Sequence, residues 1–239
     1  MHSDSRIAKL SSHLGIAAVV LLLVGPLLCQ LGAAPMTGFS LFGLGLLAGL
    51  LALPFGAVGL WLTRAGAETG GRSYAIRGFG LGILVLAILF IAGRPGAGVP
   101  PINDITTDWV DPPQFVAAED IPANEGRDLA YPGATFTEQQ RAGYPDLASQ
   151  RLAMPPAEAF AAARAAGEGL GWSITFEDPA TGHLEATDTT RFFRFVDDIV
   201  IRVRPDGNAS IVDVRSKSRD GQGDLGANAA RIRALQAAL

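Results

Sequence analysis

RFFRFVDDIVIRVRPDGNASIVDVRSKSRDGQGDLGANAARIRALQAAL, residues Arg191 to Leu239, is the stretch whose reading decides the fold. Asp198 to Arg204 puts Ile199, Ile201 and Val203 on one face of an extended strand and Val200, Arg202 and Arg204 on the other, the period of two expected of a half-buried strand. Pro205-Asp206-Gly207-Asn208 makes a turn, and Val212, Val214 and Ser216 then alternate with Ile211, Asp213, Arg215 and Lys217. With Gly207-Asn208 central, Val203 falls opposite Val212, Ile201 opposite Val214 and Arg202 opposite Asp213. With Asp206-Gly207 central, the apolar faces still agree but Asp198 meets Arg215. The buried face is common to both registers and the ion pairs are not. A closing helix from about Asp224 carries Leu225, Ala229, Ile232, Leu235 or Gln236, and Leu239 along one stripe, with Asp224 as its N-cap and Arg231 and Arg233 away from the stripe.

Working upstream, His183 to Phe195 reads as a longer strand, and DPATG (178–182) as the turn before it. Trp172, Ile174 and Phe176 alternate with Ser173, Thr175 and Glu177 as another strand. Pro155 to Leu170 is a helix: it opens on prolines, runs through strong helix formers, and buries Phe160, Ala163, Gly167 and Leu170 at three- and four-residue spacing. The order helix, four strands, helix with short turns implies an antiparallel meander whose apolar face both helices cover. The expected class is α+β, of helix-grip type, over residues 117–239. Residues 116–151 lack periodicity and read as irregular, with a short helix near 137–143.

The N-terminal part belongs to another environment. Residues 14–31, 38–62 and 76–93 are uncharged runs, save Arg77 at one edge, close to the roughly 20 apolar residues that cross a hydrocarbon core. Arg6 and Lys9 precede the first run, the loop at 31–37 has no basic residue, and Arg64, Arg72 and Arg77 lie in the second loop. The positive-inside rule then puts the N-terminus and second loop in the cytoplasm, and everything after Arg94 outside. In a bacterium this describes an inner-membrane protein with a periplasmic C-terminal domain. A cleaved signal peptide ending near Gly32-Ala33-Ala34 is the competing reading of the first run; Pro35 argues against cleavage, and both readings leave the C-terminal domain outside. Gly45 with Gly49, and Gly78 with Gly82, have GxxxG spacing, which packs the three spans together or, alternatively, a homo-oligomer. Residues 94–116, RPGAGVPPINDITTDWVDPPQFV, form a Gly/Pro-rich linker and extended arm anchored by Ile102, Ile105, Trp109 and Phe115.

Charge is segregated along the chain. Residues 1–93 carry 5 Lys/Arg and 2 Asp/Glu, residues 94–190 carry 5 and 15, and residues 191–239 carry 9 and 6. An acidic middle and a basic end suit internal pairing, or a face for an anionic partner. The single cysteine, Cys29, excludes an intramolecular disulfide and a Cys-rich metal site, and Pro26-Leu27-Leu28 before it does not suit lipoprotein acylation. Asp104, Asp108 and Asp111 resemble part of a calcium loop, but its turn glycine and terminal glutamate are missing; no metal and no cofactor is expected.

The motifs PPINDITTD (100–108), PPQF (112–115), DDIVIRVRP (197–205) and VDVRSKSRDGQGDLGANAARI (212–232) together resemble the domain-of-unknown-function 1499 family (DUF1499), over about residues 100–239. Three preceding spans resemble the membrane-anchored members of that family. The resemblance implies a domain but no reaction, and Gln222-Gly223 stand where a basic or hydroxyl residue would be expected.

For chemistry, the soluble part has one histidine, His183, and no GxSxG, HExxH, P-loop or CxxC pattern, which argues against a conventional hydrolase or metalloenzyme. The acidic pair Asp197-Asp198 reads as strand-edge charge near Arg191 or Arg194. The candidate ligand-binding set is Arg191, Arg194, Arg202, Arg215 and Arg219, with Asp213, Asp224 and Asn228 holding it, since guanidinium forks suit carboxylate or phosphate. The competing reading pairs those arginines with acids on the solvent face of the sheet. The function expected is a noncatalytic module recognising a lipid head group, an envelope polymer or a protein partner, with nucleic acid excluded by location and acidity; the rival is an enzyme using Asp and Arg side chains.

Overall fold

The computed structural model describes residues 3–94 and 96–239; Pro95 of the linker lies outside them. Two compact units result, one of residues up to Arg94 together with Arg191–Arg194, the other of Pro95–Thr190 and Phe195–Leu239.

The first unit is three helices, α1 (Arg6–Gln30), α2 (Pro35–Leu62) and α3 (Arg72–Gly93), each long and apolar enough to cross a membrane. They start eight, three and four residues before the uncharged runs, because helical hydrogen bonding continues through polar residues that composition alone assigns to loops. The Ser5 hydroxyl caps α1 by accepting from the Ala8 amide at 3.3 Å, and Pro35 opens α2 at a position where its missing amide costs nothing. The glycine pairs are used within the chain. A Cβ on Gly49 would stand 2.5 Å from Val85, and one on Gly82 would stand 2.8 Å from Leu53. Gly45 meets the Ala18 carbonyl and Gly78 meets Ser11. Side chains such as Leu23, Leu31 and Phe90 remain more than half exposed around the bundle, where lipid would solvate them.

The second unit is α+β. Its strands are β1 (Asp104–Thr106), β2 (Gln150–Leu152), β3 (Ser173–Asp178), β4 (His183–Thr189), β5 (Val196–Asp206) and β6 (Ala209–Ser218), with helices α4 (Ala134–Gly143), α5 (Pro156–Gly169) and α6 (Ala227–Ala238). The sheet order is β1-β6-β5-β4-β3, with β2 sharing the outer edge of β6, and every pairing is antiparallel. Four of these strands are the expected meander. The edge strands β1 and β2 come from the stretches read as arm and irregular loop, because three residues are too few to show a period.

The β5–β6 turn is Gly207-Asn208, with Val203 opposite Val212, Ile201 opposite Val214 and Arg202 opposite Asp213. Gly207 supplies the positive φ of 63° at the first turn position. The strand expected from His183 to Phe195 stops instead at Thr189, and residues 190–195 form a connection in which Arg194 has φ 61°. A residue in that left-handed conformation cannot continue a strand. Gly182 is constrained twice, by φ 71° and by the Val203 carbonyl packed where its Cβ would be.

One face of the sheet is apolar. Leu184, Ala186, Ile199, Ile201, Val203, Val212 and Val214 pack against Phe160 and Ala163 of α5 and Ala229, Ile232 and Leu235 of α6, each large side chain contributing about 1.5–3 kcal/mol by burial. Leu225 precedes α6 and is 59% exposed, so it is not part of that stripe. The opposite face is covered by the segment from Thr107 to Tyr131, which includes two short 3-10 turns at Ala117–Asp120 and Pro122–Asn124. Phe115, Ala118 and Leu129 lie over Val200 there. Apart from Val200, that covered face is mostly charged.

Candidate functional site

Strand alternation turns Arg215, Asp213, Lys217, Arg202, Arg204, Asp198, Val200 and Glu185 to the covered face. Arg215 is fully buried. Its Nε and Nη2 donate to Oδ1 and Oδ2 of Asp104, both at 2.8 Å, a two-pronged pair set by β1 lying beside β6. Its Nη1 donates to the Pro113 carbonyl at 3.2 Å and Nη2 to the Leu129 carbonyl at 2.7 Å. The Phe115 and Tyr131 rings lie 4.9 and 5.5 Å from the guanidinium. Lys217 adds a second cation to Asp104 at 3.1 Å. Burial raises the Tyr131 phenol above its ordinary range, with the Thr137 hydroxyl pulling the other way.

Asp213 gathers a second group. It accepts from Arg202 and Arg204 at 3.1 and 2.7 Å, and from the Ser149 hydroxyl at 2.5 Å. Arg202 also reaches Asp108 and Asp111, at 3.1 and 2.8 Å. The three aspartates that resemble part of a calcium loop are thus anion partners for arginines and lysine, and among the described residues no three His, Cys, Asp or Glu side chains converge on a metal-sized space.

A third group centres on Asp198, which accepts from Arg219 at 2.6 and 2.8 Å and from Asn124 at 3.1 Å. Arg219, Lys217 and Arg127 line a small polar cleft of about 250 Å³, in which Asp198 and Asp128 also take part. Arg127 pairs with Asp220 at 3.0 Å and donates to the Arg219 carbonyl.

On the helix side, Asp224 accepts the Gly226 and Asn228 amides at 2.8 and 2.7 Å. Asn228 is wholly buried, accepts from the Ser216 hydroxyl at 2.6 Å and donates to the Ser218 hydroxyl at 2.9 Å. Arg231, expected to point away, is instead 8% exposed and bridges Asp197 at 2.6 Å and Asp188 at 2.8 Å. A stripe analysis overlooks it because a long apolar stem lets a guanidinium be buried where acids meet it. Asp197 and Asp198 are buried and pair with Arg231 and Arg219, not with Arg191 or Arg194. Burial raises the Asp197 carboxyl despite Arg231.

The candidate set therefore divides. Arg202 with Asp213, Arg215, Arg219, and Asp224 with Asn228 occupy four separate networks, while Arg191 and Arg194 are exposed, group with the first unit and join no ion pair among the described residues.

Two features stand outside the sequence-derived set. Glu185, 1% exposed, accepts the Val116, Ala117 and Ala118 amides at 2.6, 3.1 and 2.7 Å and meets His183 Nε2 at 2.7 Å. Burial alone would raise this carboxyl, but the His183 ring and the three amides hold it below the ordinary glutamate range. An acid on an inward position of HLEATDT was the available signal. The other feature is an open groove of about 650 Å³, bounded by Trp109 and Gln114 of the arm, Tyr131, and Thr137, Glu138 and Arg141 of α4. Its size is that of a ligand cleft. Arg141 lies 5.5 Å from the Trp109 ring. Among the described residues of the second unit it alone of the Lys and Arg side chains has no carboxylate partner; the other ten are all paired.

No curated protein is matched by the chain. The family model described as "Protein of unknown function (DUF1499)" matches residues 104–239, from the first residue of β1 to Leu239, and the chain belongs to that family.

Proposed function

We propose that the protein is a membrane-anchored binding module of the bacterial inner membrane, with a cytoplasmic N-terminus and a periplasmic C-terminal domain that holds an envelope ligand without transforming it. The anchor reading is supported by the three long apolar helices and by the basic residues of the N-terminus and second loop. The binding reading is carried by one observation: the sheet's charged groups are tied into internal networks, whereas the groove at Trp109 keeps an unpaired cation, aromatic rings and polar side chains open together. Aromatic residues and arginine are the groups that dominate recognition surfaces.

Hydrogen exchange on the full chain in detergent micelles tests this reading. Lipid, polysaccharide and protein fractions of a bacterial envelope are added separately. Protection confined to residues 109–114 and 130–141 by one fraction, with the bound component recovered chemically unchanged, is the expected result. Protection elsewhere only, or none, sinks the groove as the binding surface, and a recovered component of altered mass points to the Asp/Arg enzyme reading instead.

A further inference from the structure

The charges of the groove narrow the ligand class, granted that the groove is the binding surface proposed above. Glu138 and Arg141 stand three residues apart on α4, both exposed, and both line the groove. Side chains at that spacing are neighbours able to pair, yet Arg141 lies over Trp109 and Glu138 enters no ion pair among the described residues. The groove thus holds one open cation, one open carboxylate and two aromatic rings, Trp109 and Tyr131.

The surrounding charge selects among ligands. Residues 96–190 and 195–239 together carry 11 Lys/Arg and 21 Asp/Glu, a net of minus 10. A ligand with negative charge alone would approach against that field and then meet Glu138. A ligand with positive charge alone would leave Arg141 unanswered. A zwitterion satisfies both groups and carries no net charge into the field. The Cβ atoms of residues three apart on a helix are about 5–6 Å from each other, so the two ligand charges must be separated too, which an α-amino acid with both charges on one carbon does not provide. At the anionic end, the Arg141 fork together with the second Gln114 amide hydrogen, the first being given to the Pro112 carbonyl, can donate to several oxygens of one tetrahedral group. At the cationic end, Glu138 suits an alkylammonium, and the Tyr131 ring lines the same groove.

We propose that the groove binds a phosphodiester joined by a short spacer to an alkylammonium, the singly anionic phosphate and single cation of phosphoethanolamine and phosphocholine diesters, carried by a lipid head group or a free glycerophosphodiester. Calorimetry on the full chain in maltoside micelles, which bring neither charge, tests it with glycerophosphoethanolamine and glycerophosphocholine against glycerol 3-phosphate and ethanolamine alone. The zwitterions should bind at least tenfold more tightly than either half. Arg141→Gln should reduce them to the affinity of ethanolamine, Glu138→Gln to that of glycerol 3-phosphate, with melting temperatures unchanged in both variants. Equal binding of the halves, wild-type affinity in both variants, or glycine betaine binding as tightly as the phosphoesters overturns the inference. Nanodiscs of phosphatidylethanolamine against phosphatidylglycerol separate the sources: protection of residues 130–141 only in the former assigns the lipid head group, and protection only by the soluble compound assigns the free phosphoester. If the zwitterions fail while another envelope fraction still protects the groove, this inference falls and the binding-surface reading stands; if nothing protects it, both fall.

Discussion

Replacing Arg215 by methionine should be among the most destabilising single changes available in the second unit. Asp104 is fully buried, and the substitution removes the guanidinium that donates to both of its oxygens, together with bonds to the Pro113 and Leu129 carbonyls. Breaking a buried pair by deleting one partner costs about 3–5 kcal/mol, because the remaining charge stays desolvated. Lys217 stays 3.1 Å from Asp104 and offsets part of this, so the lower end is expected. The family-matched region spans 136 residues, 104 to 239, and an unfolding entropy of about 2.1 cal/mol/K per residue gives roughly 0.29 kcal/mol/K. A loss of about 3–5 kcal/mol then lowers Tm by about 10–17 °C. Thermal unfolding of the full chain in micelles, followed by tryptophan fluorescence, measures it. The double variant Arg215→Met with Asp104→Leu should regain part of the loss, since it removes the stranded aspartate, although Lys217 then loses its Asp104 partner. A single-variant shift below about 3 °C, or a double variant no better than the sum of the singles, would refute the claim that this pair is a desolvated brace.

Other outcomes follow from the same geometry. Glu185→Gln should cost about 1–3 kcal/mol near neutral pH by weakening the clasp on residues 116–118. Because the folded carboxyl titrates below its ordinary range, its contribution is complete above about pH 4.3 and is lost as pH falls through the lower folded value; urea midpoints of wild type and variant should converge on acidification, and a widening gap would contradict the assignment. Asp224→Ala removes the acceptor for two amides at the start of α6 and should cost about 1 kcal/mol, read as a urea-midpoint shift at unchanged slope. Gly49→Leu must push on Val85 and should cost about 1–3 kcal/mol in micelles, whereas Gly43→Leu, with open space around it, should be neutral. Reporter fusions after Arg94 should be active only for a reporter that matures outside the cytoplasm, and cytoplasmic reporter activity would overturn the proposed orientation.

The apolar half of this fold is legible in the chain. Period-two alternation at Ile199, Ile201 and Val203 against Val212 and Val214 gave the sheet and its buried face, and the uncharged runs gave three helices. The register needed the structure, since both turn choices bury the same residues. What alternation cannot show is that the second face is covered, because its cover, residues 107–131, has no period of its own. Hence Arg215 looked like a solvent-facing candidate, and the arginines at 202, 215 and 219 looked like one cluster, although a strand pair spreads them over separate neighbours. The groove was invisible for a related reason: Trp109, Tyr131 and Arg141 come from three segments whose approach depends on that irregular cover. In the sequence Trp109 reads only as an anchor of the arm, and nothing singles out Arg141.

Charge segregation along the sequence acquires a structural meaning here. The acids of the middle segment include Asp104, Asp108, Asp111, Asp146 and Asp188, and each meets a cation of the last fifty residues. Ion pairs are poor sources of net stability once desolvation is charged against them, but they are selective about partners. The arm from Thr107 to Tyr131 has only the two short 3-10 turns and no α-helix or strand ladder to fix its path beyond β1, and apolar anchors alone, such as Phe115, tolerate sliding. Opposite charges placed at intervals do not, since a shift of one residue would leave a buried aspartate or guanidinium unpaired. The ionic face therefore serves to position the cover, and the cover carries Trp109, Gln114 and Tyr131 to the groove beside α4. On this argument the pairs and the groove are one device: weakening Asp104–Arg215 should loosen the groove residues in hydrogen exchange before the apolar helix face responds.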